Sequence, residues 1–392
     1  MSTTSLPAYV ATSDNRAPTY SYEPAAHEQR FVKQSKSGHI SLRLTGQEED
    51  VTVPVYVSNS IVEGSVELSR TEGITRIELK IEGNLKIREI GEGGHSTVKL
   101  CLENQVLWSK GQDAPSPSML AFSFRLPESF TFEDKTYPLP PTHGVKLSGF
   151  PGFTANIDYS VSVLINKPNT RAISSKAMGL IVGTTAVNTP FLYRPRTRPP
   201  SAVPPPLITN ASGFALAPEW TLLESVLPSR QPGLQDIATK LYIPSNRTFY
   251  MRETTYLPLS PTAKTLNSRK STQVQLMRQS TVDVRNIEKD GLKQDMWRVD
   301  CIGEGTIKLT ADAPLWIAYN GEIKVDPEVA IAGFKAAGLS VKDCILFTVT
   351  PPEPAKCPFG DLRQVASVKL TTDPWNSNGA GVGRPPSGHS SE

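Results

Sequence analysis

The sequence predicts an all-β chain of two immunoglobulin-like β-sandwich domains in tandem, flanked by disordered N- and C-terminal tails. Three observations predict it. Hydrophobic residues recur with period 2 in short segments along both halves of the chain. Turn-formers, including 34 Pro and 27 Gly, punctuate those segments. A chain of 392 residues also exceeds what a single hydrophobic core usually organises, about 250 to 300 residues.

Residues 1–38 read as a disordered arm, 39–188 as the first sandwich, 189–210 as a Pro/Arg-rich linker, 211–375 as the second sandwich and 376–392 as a free tail. The arm is rich in Ser, Thr, Ala and Pro without helical or strand periodicity, so it buries too little apolar surface to offset ordering entropy. Two fragments stand out in it, Leu6-Pro7-Ala8-Tyr9 and Ala17-Pro18-Thr19-Tyr20, each with Pro two residues before Tyr. A Pro-led extended segment is preformed for an aromatic groove, and the Tyr supplies an anchor.

In the first sandwich Ile40, Leu42 and Leu44 begin the alternation and Val51 to Val57 continues it. The clearest signal runs from Ile61 to Gly83. Gly64, Val66 and Leu68 share one parity, as do Ile77, Leu79 and Ile81, and Thr71-Glu72-Gly73 joins the two runs, which predicts a β-hairpin with one dry face. Leu85 to Ile90, a turn at Glu92-Gly93-Gly94, and Ser96 to Leu102 follow, with Val98, Leu100 and Leu102 on one side. After the apolar Val106-Leu107-Trp108 comes a strand with Phe122, Phe124 and Leu126 inward, ended by Pro127. Leu139-Pro140-Pro141-Thr142 reads as an extended connection, and Phe153 to Ile165 alternates without a break.

Prolines and three arginines, Arg194, Arg196 and Arg198, make Thr189 to Pro206 a stiff, basic, polyproline-like connector. Beyond it, strands are predicted at Trp220 to Leu223, Ala238 to Ile243, Thr248 to Leu257 and Val274 to Val284, the last with Val274, Leu276 and Arg278 on one parity. Met296 to Ile302, Gly305 to Leu309, Pro314 to Tyr319, Gly321 to Val325, Cys344 to Val349 and Val365 to Leu370 complete the second set. Between Asp326 and Gly338, an Asp326-Pro327-Glu328 cap predicts one or two turns of helix.

Composition and motifs argue against several function classes. The net charge of +3 comes from interspersed Lys, Arg, Asp and Glu, which does not suit a nucleic-acid partner. No segment approaches the roughly 20 apolar residues of a membrane span, and the N-terminal stretch lacks a basic-then-apolar leader, so a soluble intracellular chain is expected. Cys101, Cys301, Cys344 and Cys357 are far apart without CxxC spacing and read as buried free thiols, with no metal site and no cofactor. His residues are few and no GxSxG, HExxH or Walker-type loop is present, so no catalytic residue is assigned. Glu92-Gly93-Gly94-His95 leads into a strand rather than a helix N-terminus, and His143 reads as an exposed turn residue. Glu78 and Glu82 lie on a solvated face. Pro351 to Lys356 has PxxPxK spacing in a loop, and Asn267 to Thr272 places hydroxyls beside Arg and Lys, which suits phosphorylation.

The first half resembles the arrestin-like N-terminal domain of the fungal α-arrestins, the arrestin-related trafficking adaptors. The residues that carry the resemblance are Val62-x-Gly64-x-Val66-x-Leu68, Ile77-x-Leu79-x-Ile81-x-Gly83, Leu107-Trp108, Phe122-x-Phe124-x-Leu126-Pro127, Leu139-Pro140-Pro141-Thr142 and Ala155-x-Ile157-x-Tyr159-x-Val161-x-Val163. The second half is similar to an arrestin C-terminal domain in Leu241-Tyr242-Ile243-Pro244, Val274-x-Leu276 and Ile345 to Val349. The resemblance implies a non-catalytic adaptor that holds cytoplasmic segments of membrane transporters or receptors and presents them to a WW-domain, HECT-type ubiquitin ligase for endocytosis. It implies a cytoplasmic protein recruited through its cargo to the plasma membrane or endosomes. In that family PPxY motifs bind the WW domains; none is present here, and Leu6, Pro7 and Tyr9 match the LPxY variant while Pro18 and Tyr20 keep the second Pro and the Tyr. Two other readings are a retromer-subunit-like scaffold for vesicle sorting without ubiquitin, and an enzyme on a β-sandwich.

Overall fold

The structure is a computed structural model and describes residues 30–48, 51–91, 94–111, 115–167, 184–211, 213–252, 255–261, 272–283, 296–351, 353 and 355–377. Among them every regular element is a strand. In the first half these are β1 (Arg30–Gln34), β2 (Ile40–Thr45), β3 (Val55–Tyr56), β4 (Ile61–Leu68), β5 (Arg76–Ile90) and β6 (His95–Ser109). They continue as β7 (Met119–Arg125), β8 (Ser129–Phe132), β9 (Lys135–Pro138), β10 (His143–Leu147), β11 (Gly152–Asn166) and β12 (Thr184–Tyr193).

β1-β2-β4-β7 form a four-stranded sheet, and β3-β12-β11-β5-β6 with β10 beside β11 form a six-stranded one. Their dry faces supply one hydrophobic cluster: Leu42, Leu44, Val62 and Val66 from the first sheet meet Ile77, Leu79, Ile157 and Val161 from the second. This changes the pairing expected for Ile61–Gly83. β4 pairs with β2 and β7 while β5 pairs with β11 and β6, so the two runs stand in opposite sheets instead of forming a hairpin. A hairpin would turn both dry faces the same way. Crossing between sheets lets each strand cover the other, with buried Ile74 under the crossing and Gly73 taking the left-handed turn at φ 71°.

Three further differences have local causes. β1 lies within the expected arm; its side chains are almost all exposed, so it is held by main-chain pairing to β2 and leaves little hydrophobic signal. β12 carries the strand pattern through Thr189–Tyr193, where the connector was expected to start. Pro190 is tolerated there because β12 is paired on that stretch with β11 alone, β3 joining only at Leu192 and Tyr193. β6 joins two predicted strands into one and carries register shifts opposite Ile77/Glu78 and Gly83/Asn84. The second shift sends Cys101 inward and leaves Leu102 41% exposed, reversing the expected parity.

The core of this half centres on Tyr159, 1% exposed, whose hydroxyl donates to the Pro140 carbonyl at 2.7 Å. This fixes the Leu139-Pro140-Pro141 connection, which is extended and buried. Tyr159 pairs across the sheet with Gly83, and a Cβ on Gly83 would stand 2.4 Å from the ring.

The second half contains β13 (Thr209–Asn210), β14 (Gly213–Phe214), β15 (Trp220–Leu227), β16 (Ile237–Pro244), β17 (Thr248–Tyr250) and β18 (Thr255–Pro261). After them come β19 (Thr272–Val282), β20 (Met296–Asp312), β21 (Ile317–Val325), β22 (Phe334–Ala336), β23 (Leu339–Val349) and β24 (Leu362–Thr371). Apart from the β13-β14 pair they form one ladder, β15-β16-β18-β21-β20-β19-β23-β24-β17 with β22 on β23. The ladder curls: Leu241, Ile323, Phe347 and Leu370, far apart in strand order, share one hydrophobic cluster, and a Ser229–Phe359 bridge ties two connections together. Thr248 to Leu257, expected as one strand, is divided between β17 and β18, which lie in different parts of the ladder.

Asp326 to Gly338 is not helical. Asp326 accepts the Glu328 amide in a tight turn, and the rest runs extended into β22, which pairs with β23. Gly333 passes so close to β23 that a Cβ would stand 2.8 Å from the Val341 carbonyl oxygen. Helical winding would forfeit this pairing.

The halves are packed together. Val282, Met296, Ala336, Ala337 and Leu339 of the second half belong to the hydrophobic cluster of the first. The linker is also fastened: the Thr197 amide donates to Thr372 Oγ1 at 2.8 Å, and the Asp373 amide donates to the Thr197 carbonyl at 3.0 Å.

Candidate functional site

The expected tether residues Leu6, Pro7, Tyr9, Pro18 and Tyr20 lie outside the described residues, as do Glu92, Gly93 and residues 267–271. In the PxxPxK loop, Pro351 is buried and Lys356 pairs with Glu353 at 2.7 Å, within the connection between β23 and β24. The polar chemistry of the described chain gathers instead at the seam between the halves.

His143 is part of that seam and not an exposed turn residue. It begins β10, pairs in register with Ile157, and sets its ring edge-on to Phe334 of β22 at 5.5 Å and 82°. Phe334 is held there by the β22–β23 pairing that replaces the expected helix. Burial, and secondarily the charge of Arg278, pull the His143 pKa down to about 4, so the ring is neutral at pH 7. Its Nε2 is buried without a hydrogen-bond partner.

Arg278 sits on the inward parity of β19, beside β23. Its guanidinium donates to both oxygens of Asp343, at 2.7 and 3.0 Å, and also to the Ile331 carbonyl at 3.0 Å. The two side chains are 8% and 1% exposed. A desolvated charge pair is tolerated at this depth because the fork geometry is bidentate and the extended strap through Ile331 supplies a third acceptor.

On β20, Arg298 reaches across the seam and donates to the Lys146 carbonyl of β10 at 2.6 Å, while its other nitrogens bind Asp300. Between these groups lies a cavity of about 500 Å³ lined by residues of β10, β11, β19 and β20. Chemically, the seam offers hydrogen-bond donors and a surplus of cationic side chains in a partly desolvated setting.

A second polar cluster fastens the linker. The Arg196 guanidinium hydrogen-bonds Asp373, which is itself bonded by Thr372 at 2.8 Å. The bond from Arg196, more than any other influence, holds the Asp373 carboxyl below its ordinary pKa. The linker arginines therefore do not all face solvent as free cations.

Of the four free thiols, Cys101 is buried, with burial pushing its pKa up to about 12. Cys301 is exposed, against expectation, because it lies on the outer parity of β20 with Trp297 and Val299. Among the described residues no group of three or more His, Cys, Asp or Glu is placed to hold a metal ion, and no helix is long and apolar enough to cross a membrane.

Sequence reasoning placed Arg278 inward but gave it no partner. The available signal was Asp343, which falls on the inward parity of β23 between Val341 and Ile345. Two opposite charges on dry parities of different strands point to a buried pair. No family model and no curated protein matches the chain.

Proposed function

We propose that the chain is a non-catalytic adaptor of the arrestin type, built as two immunoglobulin-like β-sandwiches in tandem. In this reading it links cytoplasmic segments of membrane transporters or receptors to a WW-domain, HECT-type ubiquitin ligase. Leu6, Pro7 and Tyr9, with Pro18 and Tyr20, are the ligase-facing tethers, and the sheet surfaces are the cargo side.

The observation that carries the reading is the use the first half makes of the resemblance residues. Val62, Val66 and Leu68 of β4 and Ile77, Leu79 and Ile81 of β5 face one another across a single core. The Leu139-Pro140-Pro141 segment is pinned to that core by Tyr159. The series therefore supports a shared framework more strongly than a set of unrelated strands would. Extensive sheet surface on two halves packed together suits protein recognition, while the Pro-x-Tyr fragments precede the first described strand and offer the extended Pro and aromatic anchor that a WW groove takes.

The test is capture of the purified full chain by immobilised WW domains. The Tyr9→Ala/Tyr20→Ala chain should lose capture while its unfolding midpoint stays unchanged. Equal capture of both chains would end the tether reading. Capture of neither chain would favour a scaffold that sorts vesicles without ubiquitin.

A further inference from the structure

We propose that the seam cavity is a binding site for a small, soluble polyanion bearing phosphate or carboxylate oxygens, which bridges the two halves. This goes beyond the adaptor reading and does not depend on the Pro-x-Tyr fragments. The cavity's volume, about 500 Å³, falls in the range of small-molecule sites, and both halves contribute walls: His143 and Lys146 from β10, Arg278 and Ser280 from β19, Arg298 and Asp300 from β20.

Charge selects the ligand class. Three cationic side chains, Lys146, Arg278 and Arg298, face two carboxylates, Asp300 and Asp343, which leaves one net positive charge. Both oxygens of Asp343 accept from Arg278, and two nitrogens of Arg298 converge on Oδ1 of Asp300, so an incoming anion meets each carboxylate beside a guanidinium.

Donors remain unspent. Nη1 of Arg278 has no partner among the described residues, and the Lys146 ammonium forms no ion pair among them. His143 lines the same cavity, and its buried Nε2 has no hydrogen-bond partner. Guanidinium and ammonium donors in a partly desolvated cleft bind oxyanions more strongly than they would in water. Because β10 belongs to one half and β19 and β20 to the other, occupancy would also hold the halves in their observed arrangement.

The test is calorimetric titration of the full chain with sodium pyrophosphate and, separately, sodium citrate, at about 0.15 M salt to suppress loose surface attraction. The comparison is with Lys146→Gln, which removes the unpaired ammonium but keeps the carbonyl that Arg298 uses. Lys33→Gln, on exposed β1, controls for net charge. We expect saturable binding of one equivalent, weakened at least about tenfold in Lys146→Gln and unchanged in Lys33→Gln, with equal unfolding midpoints in the absence of anion. Tighter binding of pyrophosphate assigns phosphate chemistry to the site, and tighter binding of citrate assigns carboxylate chemistry. No saturable binding of either anion up to about 10 mM, or equal weakening in the two lysine variants, would overturn the proposal.

Discussion

Replacing Arg278 by Met should cost the chain about 3 to 5 kcal/mol of folding stability, because it strands a buried carboxylate. The magnitude follows from the geometry. Asp343 is 1% exposed at its side chain and receives two bonds from Arg278, at 2.7 and 3.0 Å, so the variant leaves an ionised group with neither water nor a counter-charge. The Ile331 carbonyl loses its donor as well, a further contribution of about 1 kcal/mol contained in that range. Asp343→Leu should be milder, since it strands a guanidinium that is 8% exposed and keeps the Ile331 bond. The double variant Arg278→Met/Asp343→Leu removes both charges and should return to within about 1 kcal/mol of the parent, because two desolvation penalties vanish with the pair. Urea unfolding of the four chains, analysed as a double-mutant cycle, isolates the coupling. Single variants costing less than about 1 kcal/mol, or a double variant as unstable as the sum of the singles, would refute the reasoning.

Other outcomes follow from the same contacts. His143 titrates at about 4 in the folded chain against about 6.5 when unfolded, so the unfolded ensemble takes up a proton first. Stability should fall by on the order of 3 kcal/mol between those pH values, and His143→Phe should abolish that slope in pH-dependent unfolding. Asp373, held below the ordinary carboxylate range, contributes to the linker clasp at neutral pH and loses that contribution as pH falls through its folded-state pKa. Asp373→Asn at neutral pH should speed tryptic cleavage after Arg196, the linker arginine not followed by proline; an unchanged rate would mean that the Thr197–Thr372 bonds hold the linker alone. Gly83→Ala should lower stability by about 1 to 3 kcal/mol in thermal unfolding, since its Cβ would press 2.4 Å from the Tyr159 ring.

What was legible in the sequence was local. Period-2 alternation located β5 and β11 because both bury one face along their whole length, and Pro127 marked where β7 must stop. Partnership was not legible. The Thr71-Glu72-Gly73 turn suits a hairpin and a crossing between sheets equally well, and only the closing of two dry faces over one core decides between them. β20 shows a second limit. Trp297 and Val299 occupy its outer parity at 54% and 49% exposure, while Arg298 and Asp300 face the seam, so apolar alternation there points to the wrong face. The strap from Asp326 to Gly338 failed for a similar reason: its cap residue makes a turn, but its backbone is claimed by β23 and by Arg278. His143 gave no local sign of its place, because the residue that packs on it, Phe334, is almost two hundred positions away.

The adaptor reading rests on the division between the sequence ahead of Arg30 and the sheet-built remainder, and proximity labelling of the full chain beside a chain starting at Arg30 tests that division most directly. We predict that the shortened chain stops labelling WW-domain ubiquitin ligase and still labels membrane transporters or receptors. Undiminished labelling of the ligase by the chain that starts at Arg30 would contradict it.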